Sequence, residues 1–187
     1  MMPQGLLPTI LSALLWTQAA RADSVDEFVG SARIQVLNIT SFWDDGALDS
    51  RIGCINAAGM LTLDDCAVFT RFDASPNTLY TKAGNCTFQN PNMPMNTDSI
   101  YGQNTPAWWC GERGDWPMYE EWYYTLNGQP YPFVCTGNIR CFFDVKAVVP
   151  VAGDALPIWT YFWGSQQMDI EAGHWRVTLL WERVDKE

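Results

Sequence analysis

Few side chains in this 187-residue chain are able to do chemistry, and most of those are acids. His174 is the sole imidazole, set between Gly173 and Trp175 at the start of an alternating apolar stretch. A nucleophile–base–orienter triad would have to use it, because histidine is the usual base near neutral pH; an edge or solvent-facing histidine is the ordinary alternative. Arg140 and Asp144 alternate with Phe142, so on a strand all three face one side. An arginine aimed into an aromatic pocket can hydrogen-bond a carbonyl or oxyanion at two points, although a solvent-facing Arg and Asp is the commoner arrangement. The acids Asp44-Asp45, Asp64-Asp65, Glu120-Glu121 and Asp169 with Glu171 raise glycoside hydrolysis, which needs two carboxyl groups across a cleft. Adjacent strand residues point to opposite faces, so no doublet forms an acid pair by itself. Asp44-Asp45 and Asp64-Asp65 fit turns and surfaces, whereas Glu120 or Glu121 keeps a binding or acid–base role in view. Serine-hydrolase elbows, metalloprotease helices, P-loops and dinucleotide fingerprints are absent from the sequence.

Aromatic residues are plentiful, with 10 Trp, 7 Tyr and 9 Phe. Many belong to a core, because large rings dominate the packing of small β domains. The remainder suggest an aromatic-lined cavity or groove able to stack on sugar rings or enclose an apolar polycycle.

Short β-branched and aromatic runs recur between clusters of Gly, Pro, Asn and Asp, and helical periodicity is hard to find. Strands are expected at 32–40, 52–55, 59–63, 66–72, 78–82, 85–89, 119–126, 131–135, 139–149, 157–163 and 174–184. These patterns predict an all-β domain, an antiparallel β-sandwich or β-barrel with an aromatic-lined cavity, stapled by disulfides. In the last strand Trp175, Val177, Leu179 and Trp181 should face the interior. Strand 157–163 is apolar on both faces, as in a central strand or one lining a cavity. Residues 90–117, rich in proline, predict a long loop pinned by Cys110, whose Trp108, Trp109 and Trp116 could cap a pocket mouth.

The first 22 residues have the layout of a signal peptide, with a short apolar run before Ala20-Arg21-Ala22, and cleavage is expected after Ala22. That leaves 23–187 as a single β-rich domain in the secretory pathway or secreted, with no later segment able to span a membrane. Cys54, Cys66, Cys86, Cys110, Cys135 and Cys141 all follow it, and an even count in this compartment predicts three disulfides. Fifteen pairings exist for six cysteines. Local context favours Cys135 with Cys141 around a Gly-Asn turn, Cys54 with Cys66, and therefore Cys86 with Cys110. Zinc is disfavoured by the lack of Cys-x-x-Cys and the single histidine, so no metal is expected. Asn38-Ile39-Thr40 and Asn85-Cys86-Thr87 are glycosylation sequons, Asn38 the better because Asn85 adjoins a bridged cysteine. A net charge of −10 excludes a nucleic-acid partner on electrostatic grounds. The aromatic residues leave sugars and apolar small molecules both open as partners, and a homodimer is left open too.

The sequon Asn38-Ile39-Thr40, the segments Glu121-Trp122-Tyr123-Tyr124 and Trp159-Thr160-Tyr161-Phe162-Trp163, and the closing strand His174-Trp175-Arg176-Val177-Thr178-Leu179-Leu180-Trp181 carry a whole-chain resemblance. In size, leader, cysteine pattern and aromatic strands the chain resembles the small secretory hetero-Diels–Alderases of fungal meroterpenoid pathways, which join a tropolone unit to a humulene-type sesquiterpene. The resemblance implies capture of an ortho-quinone methide by a terpene alkene, a cofactor-independent pericyclase reaction of secondary metabolism. It also implies Tyr123, Tyr161, Trp163 and Trp175 as substrate-stacking residues and Arg140 and His174 as the catalytic hydrogen-bond donors. A secreted carbohydrate-binding or host-interaction protein is the competing class, with a glycan-degrading enzyme using Glu120 or Glu121 behind it.

Overall fold

In the computed structural model the described residues are 28–44, 46–73, 77–112, 114 and 121–184. The expected leader, Glu120 and Trp116 lie outside them. The described residues form twelve strands and one 3-10 turn (Ala47–Ser50): β1 Gly30–Leu37, β2 Arg51–Ile55, β3 Leu61–Thr62, β4 Phe69–Arg71, β5 Leu79–Thr81, β6 Gly84–Thr87, β7 Trp109–Gly111, β8 Tyr123–Thr125, β9 Val134–Thr136, β10 Phe143–Lys146, β11 Ile158–Thr160 and β12 His174–Arg183. The chain is thus almost entirely β, and its main antiparallel sheet curls into a half-barrel in the order β11-β10-β12-β1-β4-β5-β6-β7. The pair β2-β3 branches from β1, and β8-β9 forms a separate two-stranded sheet.

Most strands sit where alternation places them, within a few residues. The exception is β7, which interrupts the expected 90–117 loop. Its reason is the cysteine bridge: Cys110 lies directly opposite Cys86 in the β6-β7 register, so the bond fixes a strand pair that proline-rich flanks disguise. Gly84 makes that pairing sterically available. It has φ +132°, and a Cβ there would stand 2.1 Å from the Gly111 carbonyl oxygen.

The cysteines pair as local spacing predicts, Cys54–Cys66, Cys86–Cys110 and Cys135–Cys141. Three disulfides are typical of secreted and extracellular proteins. Among the described residues no helix is long and apolar enough to cross a membrane.

The centre of the molecule is β12, ten residues long, paired to β1 on one side and β10 on the other. Its odd positions Val177, Leu179 and Trp181 enter the main core with Ile34 and Val36 of β1, and Trp175 packs against the edge of that core. The even face is covered too. Leu180 joins Leu37, Ile39, Ala47 and Phe133 in a smaller apolar cluster, while His174 and Arg176 lie beneath loops described below. Trp108 does not cap a pocket mouth, as its loop position suggested. It is fully buried, stacked between Phe69 at 5.8 Å and Phe88 at 5.7 Å, because its backbone N–H bonds the Ile158 carbonyl and draws it inward.

Candidate functional site

Beyond Thr160 the chain leaves β11 and runs across the mouth of the cysteine-closed hairpin 135–141. The space between them is a cleft of about 250 Å³, lined by Ile139, Arg140, Phe142, Tyr161, Phe162 and Trp163 among others. Arg140 is exposed at its rim, with the guanidinium carbon 4.7 Å from the centre of the Phe162 ring. That distance is within cation–π range, so the ring orients the guanidinium, whose N–H groups have no hydrogen-bond acceptor among the described residues. Arg176 lies behind the wall, over Phe142 at 5.0 Å and Tyr161 at 5.6 Å, and donates to the Thr40 carbonyl. Ile139, at the tip, has φ 55°. A β-branched residue in the left-handed region is strained, and such strain clusters at binding sites. The Tyr124 hydroxyl holds it there by accepting the Ile139 N–H at 2.7 Å.

Of the four aromatic residues expected to stack on substrate, the fold brings Tyr161 and Trp163 to the cleft. Tyr123 and Trp175 are placed elsewhere. Tyr123 is wholly buried; its hydroxyl accepts from Trp108 Nε1 at 2.8 Å and donates to the Cys86 carbonyl, and burial pushes its pKa well up. Trp175 follows the odd face of β12 into contact with the core. Of the sequons, Asn38 is exposed just past β1, and Asn85 is half-buried in β6 beside the Cys86–Cys110 bridge.

His174 is not at the cleft, nor does it face solvent. It is 5% exposed and surrounded by carboxylates. Nδ1 lies 2.5 Å from Asp144 Oδ1 and 3.3 Å from Glu171 Oε1, and Nε2 lies 3.2 Å from Asp98 Oδ2. Asn96, buried in the 90–108 segment, donates through Nδ2 to Asp144 at 2.7 Å and to Glu171 at 2.9 Å. Gln167 donates to the other Glu171 oxygen, and Lys146 pairs with Asp98. Burial, then the Glu171 contact, pushes Asp144 up to about 7. Burial acts upward on Glu171 as well, but hydrogen bonds from Asp144 and Asn96 outweigh it and leave the group below its ordinary value. The Lys146 ammonium, then His174, holds Asp98 below the usual carboxylate range. Asp144 is therefore no solvent-facing acid; the even face of β10 that carries it beside Phe142 is roofed by segments with no periodic signature. Sequence reasoning passed over Asn96, Asp98 and Lys146, and the one available signal was the Asp169/Glu171 doublet near the only histidine.

Glu121, the candidate acid of the aromatic segment, braces two strands. It accepts the Phe88 N–H at 2.6 Å and the Thr136 hydroxyl at 3.3 Å. Burial raises its pKa, and these hydrogen bonds offset only part of the rise. The folded chain then holds the Glu121 proton more tightly than the unfolded chain, so its contribution is greatest in acid and declines as pH rises through the unfolded and then the folded pKa. As pH rises above about 4.5, the melting temperature of Glu121→Gln should improve relative to wild type until Glu121 is ionised in the folded chain as well. A difference that stays constant with pH would show a solvated Glu121.

The chain matches no protein-family model, no curated protein and no solved structure.

Proposed function

We propose that the protein is a cofactor-independent hetero-Diels–Alderase acting at the Arg140 cleft, joining a tropolone ortho-quinone methide to a humulene-type alkene. The observation that supports this is the guanidinium held over Phe162 at the edge of a recess that Phe142, Tyr161, Phe162 and Trp163 line together with Asn138, Ile139 and Cys141. In a hetero-Diels–Alder addition the quinone-methide oxygen and its exocyclic carbon bond to the two alkene carbons, and no proton or electron leaves. Catalysis then needs orientation, shelter from water and a donor to the carbonyl oxygen. Tyr161, Phe142 and Trp163 supply flat surfaces for the tropolone ring, and Arg140 supplies the N–H donors. A volume of about 250 Å³ suits one ring system. The alkene partner meets it from the open side, where Ile139 and Trp163 are 68% and 65% exposed. His174, with both ring nitrogens engaged by carboxylates, takes no part. Glycosylation at Asn38 and passage through the secretory pathway belong to the same proposal.

The test is adduct formation from a hydroxymethyl tropolone precursor and a humulene alcohol, with reduced and denatured protein as control. Faster formation of one stereoisomer, falling about 10- to 100-fold in Arg140→Ala, is expected; loss of a charge-assisted hydrogen bond is of that order. Product distributions identical to the control overturn the proposal. The exposed Trp163 ring favours one second reading, a sugar-stacking surface without catalysis. Saturable quenching of tryptophan fluorescence by an oligosaccharide, abolished in Trp163→Ala, would select it.

A further inference from the structure

We propose that Asp144, Glu171 and His174 form a site for a single divalent transition-metal ion, separate from the cleft and independent of its function. These side chains come from different places, β10, the 161–173 loop and the first residue of β12, yet one ligand atom of each lies within 4.8 Å of the others. Asp144 and His174 are 1% and 5% exposed. The donor set is mixed, an imidazole nitrogen and two carboxylate oxygens, a combination that suits zinc and similar ions.

The orientation of His174 adds a second line of support. Its outer nitrogen, Nε2, lies against the Asp98 carboxylate, which is itself anchored by Lys146. Carboxylates in that position fix metal-binding histidines by taking the proton of the nitrogen that does not bind. A neutral His174 donating Nε2–H to Asp98 turns an Nδ1 lone pair toward Asp144 and Glu171. Nδ1 and the two carboxylates then converge on one point, where the Asn96 amide already donates to both acids, and a shared cation there would satisfy all three together. Nδ1 carries at most one proton for two carboxylates, whereas a divalent ion is shared by all three ligands. Asn96 stands at the same point, within hydrogen-bond distance of both acids. Turned about its terminal bond, its amide presents an oxygen as a fourth ligand. Such an ion would tie the 90–108 and 161–173 segments to the sheet.

Zn²⁺ is the probe. Chelator-stripped full-length protein should bind one Zn²⁺ per chain in a calorimetric titration, with a rise in melting temperature that chelator reverses. Asp144→Asn and Glu171→Gln preserve shape and remove buried charge, and each should weaken binding at least about 10-fold; Asp98→Asn should cost about 10- to 100-fold without removing a ligand. Visible absorption bands of a Co²⁺ complex of the wild type give a readout that needs no variant. Absence of stoichiometric Zn²⁺ binding overturns the proposal and leaves a proton as the shared cation. Binding unaltered in both ligand variants also overturns it, placing the ion on surface carboxylates, and Ca²⁺ bound more tightly than Zn²⁺ overturns the assignment to transition metals.

Discussion

Trp108→Ala should destabilise the protein by about 3–5 kcal/mol, the usual range for deleting a fully buried large aromatic ring. The side chain has no exposed surface and lies between two rings, Phe69 and Phe88, each within 15° of parallel by their interplanar angles of 14° and 13°. Phe88 in turn stacks on Phe143 of β10. Its removal opens a cavity at the point where the two ends of the curled sheet meet, and it also deprives the Tyr123 hydroxyl of the indole N–H. Two penalties therefore coincide, lost packing and an impaired buried hydrogen bond. Trp108→Phe retains most of the ring and should cost about 1–3 kcal/mol, mainly through the polar partner. Equilibrium unfolding in guanidinium with disulfides intact measures both. A loss below about 1 kcal/mol for the alanine variant would mean that neighbouring rings refill the space and that Trp108 is dispensable.

Removing the Cys86–Cys110 bridge as the double alanine variant should cost about 3–4 kcal/mol in the same experiment. The bond closes a sequence separation of 24 residues, and the entropy withheld from the unfolded chain grows with the logarithm of that length. On the same relation the Cys135–Cys141 bridge, with a separation of 6, is worth about 2 kcal/mol. The order of the two losses is the diagnostic. Equal losses would indicate that loop closure is not their source. The longer loop also carries Asn96 and Asp98, so its release should raise hydrogen exchange at the His174 cluster, whereas opening the short hairpin should loosen Ile139 and Arg140 alone.

Strand content and cysteine pairing were legible because each has a local signature. Alternation from His174 to Trp181 assigns the interior face of β12 correctly, and a Gly-Asn turn between cysteines marks a closed hairpin. Legibility ends where one segment roofs another. His174 sits on the even face with Arg176, a face that alternation marks as polar, and its burial comes from segments 90–108 and 161–173 that have no period to read. Tyr123 illustrates the same limit from the apolar side. Nothing local distinguishes a tyrosine that stacks on a ligand from one that satisfies a buried indole and a carbonyl. For Arg140 the expectation of a continuous strand from 139 was too generous. The chain bridges back to Thr136 at that residue and pairs with β11 and β12 only from Phe143, which frees the guanidinium to turn over Phe162.

The pairing of β1 with β12 has a consequence for biosynthesis. Ala32 faces Arg183 and Leu37 faces Thr178, so the central contact of the sheet joins residues roughly 140–150 positions apart in sequence. A chain emerging from its N-terminal side cannot form this seam until β12 has been made. The three bridges span separations of only 12, 24 and 6, and can close on nascent segments long before then. The covalent loops can therefore be in place before the core assembles, leaving its central seam to the last strand made.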